Sequence, residues 1–256
     1  MEFNDLLVAM VKADASDMFV TAKLPVSAKI NGELQPIAPD ILTPEQSLAL
    51  VNFSMNNKQR RQFDEEKECN YAISVEGIGR FRISAFWQRD MAGMVLRRIV
   101  TEIPDADQLG LPQVLKDIVM SKRGLVLFVG GTGTGKSTSM ASLIGYRNNN
   151  SHGHILTIED PIEFVHEHGK SMITQREVGL DTDSFDAALK SSLRQAPDVI
   201  LIGEIRNQET MEHALSFAET GHLCIATLHA NNANQAIDRI MHLVPSEQHG
   251  KLLFDL

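Results

Sequence analysis

The pattern of apolar positions at the start of the chain is first helical and then strand-like. Apolar residues recur at helical spacing over Phe3–Val11, which predicts an amphipathic helix with Asn4 or Asp5 as its cap. Two short strand-like runs follow within residues 18–30. Asn31-Gly32, placed between apolar residues, is a strong signal for a tight hairpin turn. The pattern therefore predicts a helix followed by a β-hairpin.

A second helix and a set of alternating strands complete the first hundred residues. Thr43-Pro44-Glu45-Gln46 combines a capping threonine, a proline at the first helical position and a glutamine three residues after the cap, and predicts a helix running to about Met55. From Tyr71 to Val100 the apolar residues alternate with period two and are interrupted at Gly77 and Gly79. We expect three antiparallel strands there, and a small α+β domain over residues 1–100.

The hydrophobic pattern changes after residues 101–112, a segment rich in proline and acidic residues that predicts an interdomain linker. Strand-like runs that are apolar throughout now alternate with helical segments. Strands buried on both faces are typical of a parallel sheet covered by helices. We therefore expect an α/β domain over residues 113–256, with the buried strands Leu125–Val129, Ile155–Ile158, Val199–Ile202 and Leu223–Thr227.

Composition and charge narrow the class of protein. The chain has 256 residues, of which 43% are hydrophobic, and this is enough for a sizeable core. No apolar run approaches the roughly 20 residues of a membrane span, and the acidic N-terminal residues are unlike a secretory signal, so we expect a cytoplasmic protein. The net charge of −9 is evenly spread, which argues against a nucleic-acid partner. Cys69 and Cys224 are expected to be buried free thiols.

A phosphate-binding loop is the strongest chemical signal in the sequence. The motif G-x-x-x-x-G-K-[ST] follows a buried strand and precedes a helix-forming run, as a P-loop requires. Its glycines allow backbone N–H groups to face phosphate oxygens, its lysine reaches the β- and γ-phosphates, and its serine ligands Mg²⁺. We expect Mg-ATP to bind at Gly130, Gly131, Thr132, Gly133, Thr134, Gly135, Lys136, Ser137 and Thr138.

Two groups of acidic residues follow buried strands downstream of this loop. One is the run from Ile158 to Glu163, and the other is Glu204, which comes directly after the buried strand and Gly203. Because ligands bind at the carboxyl ends of parallel strands, we expect both groups to meet the P-loop. Hydrolysis needs carboxylates to activate water and to hold the metal shell. Glu204 occupies the Walker B position and would act on Mg²⁺ indirectly. Taken singly, each acid could instead cap a helix or begin an exposed loop.

Histidines and arginines give weaker signals. His222 and His229 bracket a buried strand, where each could also be an ordinary polar group at a strand end. His166 and His168 lack a further set of ligands at zinc-site spacing, so a solvated loop is expected there. Arginines on two strands of the first domain either face solvent or stabilise phosphate charge as arginine fingers from a neighbouring subunit. They are Arg80, Arg82, Arg97 and Arg98.

Taken together, these motifs resemble the type II/IV secretion ATPases, and within them the pilus retraction ATPases of the PilT/PilU type. Four marks occur in order: the Walker A loop, an acidic box at Thr157–Glu163, a Walker B segment at Asp198–Glu204 with Arg206, and a histidine box from Thr220 to His229. Ser16-Asp17-Met18-Phe19 replaces the Ser-Asp-Leu-His of the PilT type, and the sequence after His229 also differs, so the chain is closer to the PilU type.

The resemblance implies a PAS-like first domain, a RecA-like P-loop domain, and a working unit of six subunits. It assigns Glu163 as the catalytic glutamate, Glu204 as the Walker B residue, and His222 and His229 as sensors of the nucleotide. Arg82 and Arg97 become the expected arginines of the site. The helical pattern at Leu256 further leads us to expect that the second domain is C-terminally truncated.

The function implied is a motor that couples ATP hydrolysis to pilus retraction and twitching motility, at the inner face of the inner membrane. Its expected partners are an inner-membrane platform protein and a PilT-like motor ATPase. An alternative is a nucleotide-binding regulatory partner of such a motor, with little turnover of its own. A DNA translocase is disfavoured by the acidic composition. A small-molecule P-loop kinase would leave the first domain and the histidine box without a role.

Overall fold

The computed structural model describes residues 2–99, 102–131, 133–245 and 249. It divides into two compact units, Met1–Thr101 and Glu102–Leu256. From Glu102 onward, the segment predicted as a linker groups with the second unit, because Ala106 is buried and Leu111 packs against an apolar cluster there. Three predictions lie outside the described residues: the place of Thr132 in the P-loop, the strand end at Val100, and the helix that reaches Leu256.

The first unit is an antiparallel sheet with its helices packed against one apolar core. All six strands pair in the order β3-β2-β1-β6-β5-β4. The three strands predicted after Tyr71 are present. The elements are α1 (Phe3–Lys12), β1 (Asp17–Thr21), β2 (Pro25–Ile30), β3 (Glu33–Ile41), α2 (Pro44–Ser54), α3 (Asn57–Glu66), β4 (Glu68–Val75), β5 (Gly79–Gln88) and β6 (Met91–Ile99).

Local signals account for most of these boundaries. Asn31 and Gly32 both have positive φ, as a two-residue hairpin turn demands, and the turn joins β2 to β3 as predicted. Thr43 and Gln46 form the predicted capping box at the start of α2. The predicted cap of α1 was wrong: the capping position is Glu2, which makes no side-chain cap hydrogen bond, because the buried Phe3 is already helical.

Helix α3 was not predicted, since it is almost entirely polar. Only Phe63 is buried among its ten residues, so no apolar periodicity marks it. Its start does carry a local signal, because the side chain of Asn56 accepts from the backbone N–H of Gln59 and the side chain of Gln59 returns the bond. The capping box therefore marks this helix where the hydrophobic pattern does not.

The second unit contains a parallel sheet of five strands, in the order β7-β11-β10-β8-β9. The predicted α/β architecture with a parallel sheet is confirmed. Apolar clusters pack against the sheet from its helices. The elements are α4 (Gln113–Val119), β7 (Gly124–Val129), α5 (Lys136–Asn150), β8 (Gly153–Glu159), β9 (Ser171–Glu177), α6 (Phe185–Ser192), β10 (Val199–Ile202), α7 (Gln208–Glu219), β11 (Leu223–Leu228) and α8 (Ala233–Leu243).

Strand β9 was missed because it lies at the edge of the sheet. Its residues alternate between buried and partly exposed positions, with Met172 exposed and Ile173 buried, so it lacks the apolar run of the inner strands. Among the described residues, no helix is long and apolar enough to cross a membrane.

Candidate nucleotide site

The P-loop joins strand β7 to helix α5 at the carboxyl edge of the parallel sheet. Gly133 and Gly135 have φ values of +78° and +88°, which favour glycine, and α5 begins at Lys136. A side chain at Gly130 would displace Thr134, because an added Cβ would lie 2.7 Å from Thr134 Oγ1. The loop therefore folds tightly around the first turn of a 15-residue helix, whose N-terminus favours bound anions.

Lys136 folds back over this loop. Its Nζ donates to the carbonyl oxygens of Gly130 at 2.9 Å and Gly131 at 2.7 Å, and Thr134 Oγ1 donates to Gly131 O at 2.8 Å. The ammonium group is thus held at the mouth of the loop. Ser137 follows in the first turn of α5. A lysine, a helix N-terminus and a hydroxyl at one point are the donor set that nucleotide phosphates and their Mg²⁺ require, so the residues fit this ligand.

Glu204 lies at the same edge, in a group of residues that follow three neighbouring strands. Its Oε1 is 2.8 Å from Nε2 of His229, which follows β11, and its Oε2 accepts from Nε of Arg206 at 2.6 Å. Arg206 also approaches Asp160, which follows β8, at 3.6 Å. The Glu204 side chain is 20% exposed. Together Glu204, His229, Arg206 and Asp160 form a polar network, here called the edge network.

Strand order brings the edge network beside the P-loop. In the pairing of β7 with β11, Val129 lies opposite Leu228, so Gly130 and His229 occupy the next positions on adjacent strands. Adjacent strands are about 4.8 Å apart, and Glu204 therefore lies about two strand spacings from the loop. The sequence prediction that Glu204 lies at the edge that carries the P-loop agrees with this topology.

Gly203 permits the close packing that positions Glu204. An added Cβ at Gly203 would lie 3.1 Å from the Cα of Glu159, tighter than ordinary contact. The backbone N–H of Gly203 donates to Ile158 O at 2.8 Å, and its carbonyl accepts from Thr227 Oγ1 at 2.5 Å. Gly203 is thereby hydrogen-bonded to both neighbouring strands, and this fixes the backbone position from which the Glu204 side chain extends.

The acidic box after β8 is organised around Glu159. Its carboxylate accepts from Thr157 Oγ1 at 2.7 Å and Gln175 Nε2 at 3.2 Å, and from the backbone N–H of Glu163. Burial raises the pKa of Glu159, although these hydrogen bonds act in the opposite direction. Glu163 itself is exposed. The structure thus gives the two glutamates different surroundings, since Glu159 is half-buried and hydrogen-bonded whereas Glu163 faces solvent.

Gln175, on the edge strand β9, holds the segment that follows the acidic box. Its amide donates to Phe164 O at 2.9 Å as well as to Glu159, and its Oε1 accepts from the backbone N–H of His166 at 2.8 Å. His166 is half-buried, and burial lowers its pKa to about 4. The segment is a loop, as expected, in which His168 is exposed and His166 is only half-buried.

His222 lies at the opposite edge of the sheet from the P-loop. It precedes β11, whereas His229 follows that strand, and six residues of strand span about 20 Å. Its Nδ1 contacts Thr220 Oγ1 at 3.1 Å and Phe217 O at 3.3 Å. Within one chain the strand therefore separates the two histidines, and the prediction that both sense the nucleotide stays a prediction.

Arg82 and Arg97 belong to the first unit and lie directly opposite each other on β5 and β6. Asp17 on β1 is paired with Arg97 in the sheet and accepts its Nε at 2.9 Å. Burial opposes ionisation of Asp17, but hydrogen bonds from Arg97 and Ser16 hold the pKa of that carboxyl below its usual value. Arg97 is thus partly neutralised, and Arg82 faces it as a like charge.

Metal ligands and thiols add little to the site. Within the described ranges, no group of three or more histidine, cysteine or acidic side chains is arranged to hold a metal ion. Cys69 and Cys224 are buried free thiols, as predicted, and burial raises the pKa of both.

Two polar residues of this region were not among the predicted site residues. Arg206 was noted only as part of the Walker B segment, and Gln175 was not predicted to have a role. Arg206 lies two residues after Glu204, which is a sufficient signal for a local ion pair. Gln175 is 16 residues from Glu159, and only the pairing of β8 with β9 reveals their contact.

Comparison with known proteins places these features in a family. A family model described as type II/IV secretion system protein matches residues 2–251. The type IV pilus ATPase PilU of Pseudomonas aeruginosa is 61% identical over 256 residues, which are 100% of this chain and 67% of that protein. The type IV pilus retraction ATPase PilT of the same organism is 44% identical over 248 residues, 97% of this chain and 72% of that protein.

The structural comparison agrees with the sequence comparisons. A crystal structure of the pilus retraction motor PilT with bound ADP matches with a TM-score of 0.95 and 40% identity. The match covers 100% of this chain and 76% of the PilT chain. The chain therefore belongs to the type II/IV secretion system protein family, within its PilT/PilU-type pilus ATPases.

Proposed function

We propose that the chain is an ATP-hydrolysing motor of type IV pilus retraction, which drives twitching motility. The observation that carries this proposal is the convergence of the P-loop, Glu204 and His229 at one edge of the parallel sheet. The 61% identity to PilU and the ADP-bound PilT structure support the same activity. The alternative of a regulatory partner with little turnover is not favoured, because Lys136, Glu163 and Glu204 are all present.

In this proposal the backbone N–H groups from Gly130 to Gly135 and the N-terminus of α5 bind the phosphates of ATP. Lys136 leaves its carbonyl partners for the β- and γ-phosphates. Mg²⁺, when bound through Ser137, screens the negative charge on the phosphates. Thr138 lies in the next position of the same helical turn.

Glu163 is the proposed catalytic base. It accepts a proton from the water that attacks the γ-phosphorus, while the bond from that phosphorus to the β-phosphate oxygen breaks and ADP leaves. Its exposure gives water access to the carboxylate. Glu204 orients the metal's water shell, and His229, at 2.8 Å from Glu204, couples the state of the γ-phosphate to the edge network.

Assembly supplies the remaining parts of the proposed site. We assign the first unit to the PAS-like class and the second to the RecA-like class, with domain boundaries at residues 1–100, 101–112 and 113–256. The working unit is a hexamer in which Arg82 and Arg97 act on phosphate charge, and His222 reads the nucleotide across a subunit boundary. The motor works at the cytoplasmic face of the inner membrane, with a platform protein and a PilT-like ATPase as partners.

The test is Mg²⁺-dependent ATP turnover per subunit, measured over a wide range of protein concentration with Lys136→Ala as the blank. A specific rate that rises to a plateau supports sites completed by neighbouring subunits, because an arginine supplied in trans can contribute about 10³-fold in rate. Glu163→Gln should abolish turnover while nucleotide binding persists. Absence of turnover above the blank at every concentration would refute the motor and leave the regulatory role.

A further inference from the structure

The first unit carries a groove of about 460 Å³ between α1, α2 and the end of β3. Its floor is formed by buried apolar residues of α1, β2 and β3, among them Phe3, Leu6 and Val26. One wall is the side of α2 that carries Ala49, Leu50 and Phe53. The groove lies entirely within the first unit and shares no residue with the nucleotide site.

Helix α2 has apolar residues on more than the face it buries. Its fully buried residues are Ser47 and Val51, which face the sheet. Phe53 nevertheless keeps 65% of its surface exposed, although its ring lies 5.7 Å from that of Phe3. Phe53 therefore extends the apolar surface of the groove towards solvent, and a contiguous apolar surface of this kind can bind a partner.

Charge at the rim of the groove is of one sign. The lining includes the exposed carboxylates of Glu2 and Asp40 and the neutral Asn4 and Gln46, and it contains no lysine or arginine. The whole chain is also acidic, with a net charge of −9. A second copy of this chain would bring further negative charge to the rim, whereas a basic segment would be attracted.

We propose that this groove binds a basic amphipathic helix from the cytoplasmic segment of an inner-membrane protein. Apolar side chains of that helix enter beside Phe53, and its lysines or arginines meet Glu2 and Asp40, as in helix-in-groove recognition. Cytoplasmic segments of membrane proteins are enriched in lysine and arginine, so they have the required charge. The inference rests on the proposed function, since it takes the motor to work against a membrane-bound partner.

The test uses the whole chain and two synthetic helical peptides of about 18 residues, or five turns. One peptide has leucine and phenylalanine on one face and lysine on the other, and the second replaces each lysine with glutamate. Binding is measured by fluorescence anisotropy at about 0.05 M and about 0.5 M salt. The expected result is binding of the lysine peptide at least about tenfold tighter than of the glutamate peptide, and weaker at high salt.

Three variants locate the binding. Phe53→Ser should weaken binding of the lysine peptide about tenfold or more. Asp40→Lys should weaken binding of the lysine peptide and strengthen binding of the glutamate peptide. Leu34→Ser is the matched control, because Leu34 is 62% exposed on β3 but does not line the groove, and it should leave binding unchanged. Since all three positions are exposed, the variants are expected to fold, which thermal unfolding checks.

Each other outcome overturns the proposal. Equal binding of both peptides, or equal loss in Leu34→Ser, would mean that apolar surface alone is responsible. No peptide binding, together with a change in oligomeric state in Phe53→Ser, would assign the groove to a second copy. ATP turnover of the same samples separates the two claims: turnover without peptide binding refutes the groove alone, and absent turnover refutes the motor.

Discussion

Acid should weaken the second unit through His166, and the size of the effect follows from its burial. A histidine in the unfolded chain has a pKa near 6.5, whereas burial lowers the pKa of His166 to about 4. Between these values the unfolded state binds the proton more readily. The free energy of unfolding is therefore fully retained above about pH 6.5 and falls as the pH drops towards 4.

The linkage between protonation and folding gives the size of the stability loss at pH 5. At pH 5 the unfolded imidazole is almost fully protonated and the folded one is mostly neutral, which corresponds to a loss of about 2 kcal/mol relative to pH 7.5. The loss is local in origin, because His166 belongs to the segment that Gln175 ties to the acidic box. We therefore expect the strands around this segment to open first.

Hydrogen exchange followed by mass spectrometry is the suitable assay, since the one tryptophan, Trp87, lies in the first unit. Protection of β8, β9 and α5 is compared at pH 7.5 and pH 5, after correction for intrinsic exchange rates. His166→Gln removes the titrating group and should retain about 2 kcal/mol more of its stability at pH 5 than the wild type does. His152→Gln, at an exposed position of the same unit, is the control.

An equal loss of protection in wild type and His166→Gln would refute this reasoning. It would mean that the imidazole is hydrated in solution and that other groups account for the acid sensitivity. A loss confined to the first unit would refute it as well, because no residue of that unit contributes to the argument.

Three further predictions concern the nucleotide edge. Arg206→Gln breaks the 2.6 Å contact with Glu204, and steady-state assays should give a turnover number about tenfold lower with the KM for ATP changed less than about twofold. Gln175→Met leaves Glu159 and two backbone groups without this partner, and thermal unfolding should report about 1–3 kcal/mol lost. Gly130→Ala places a methyl group 2.7 Å from Thr134 Oγ1, and calorimetry should detect ADP binding weakened at least about tenfold, with wild-type unfolding temperature.

Local signals in the sequence were enough for most elements of the fold. The Asn31-Gly32 turn, the Thr43 capping box and the inner strands of the parallel sheet depend on neighbouring residues alone, and each is present. The missed elements are those without a clear hydrophobic pattern. Helix α3 buries Phe63 alone, and β9 is defined by its pairing with β8.

The candidate site was predictable for a different reason. In a parallel sheet every strand ends at the same edge, so a polar residue that follows a buried strand is placed without knowledge of the strand order. Gly130, Glu204 and His229 all satisfy this rule. His222 precedes its strand, and the same rule places it at the opposite edge.

The order of the strands in the sheet decides which of these residues are in contact. This order cannot be read from short sequence patterns. β10 lies between β11 and β8, so the residue after β10 can reach the residues that follow both neighbours. Glu204 occupies this position, with His229 on one side and Arg206 extending towards Asp160 on the other. A change in the position of His229 can therefore pass through Glu204 and Arg206 to the start of the acidic box. The edge network is thus a chain of polar contacts that runs from His229, beside the phosphate loop, to Asp160 in the acidic box.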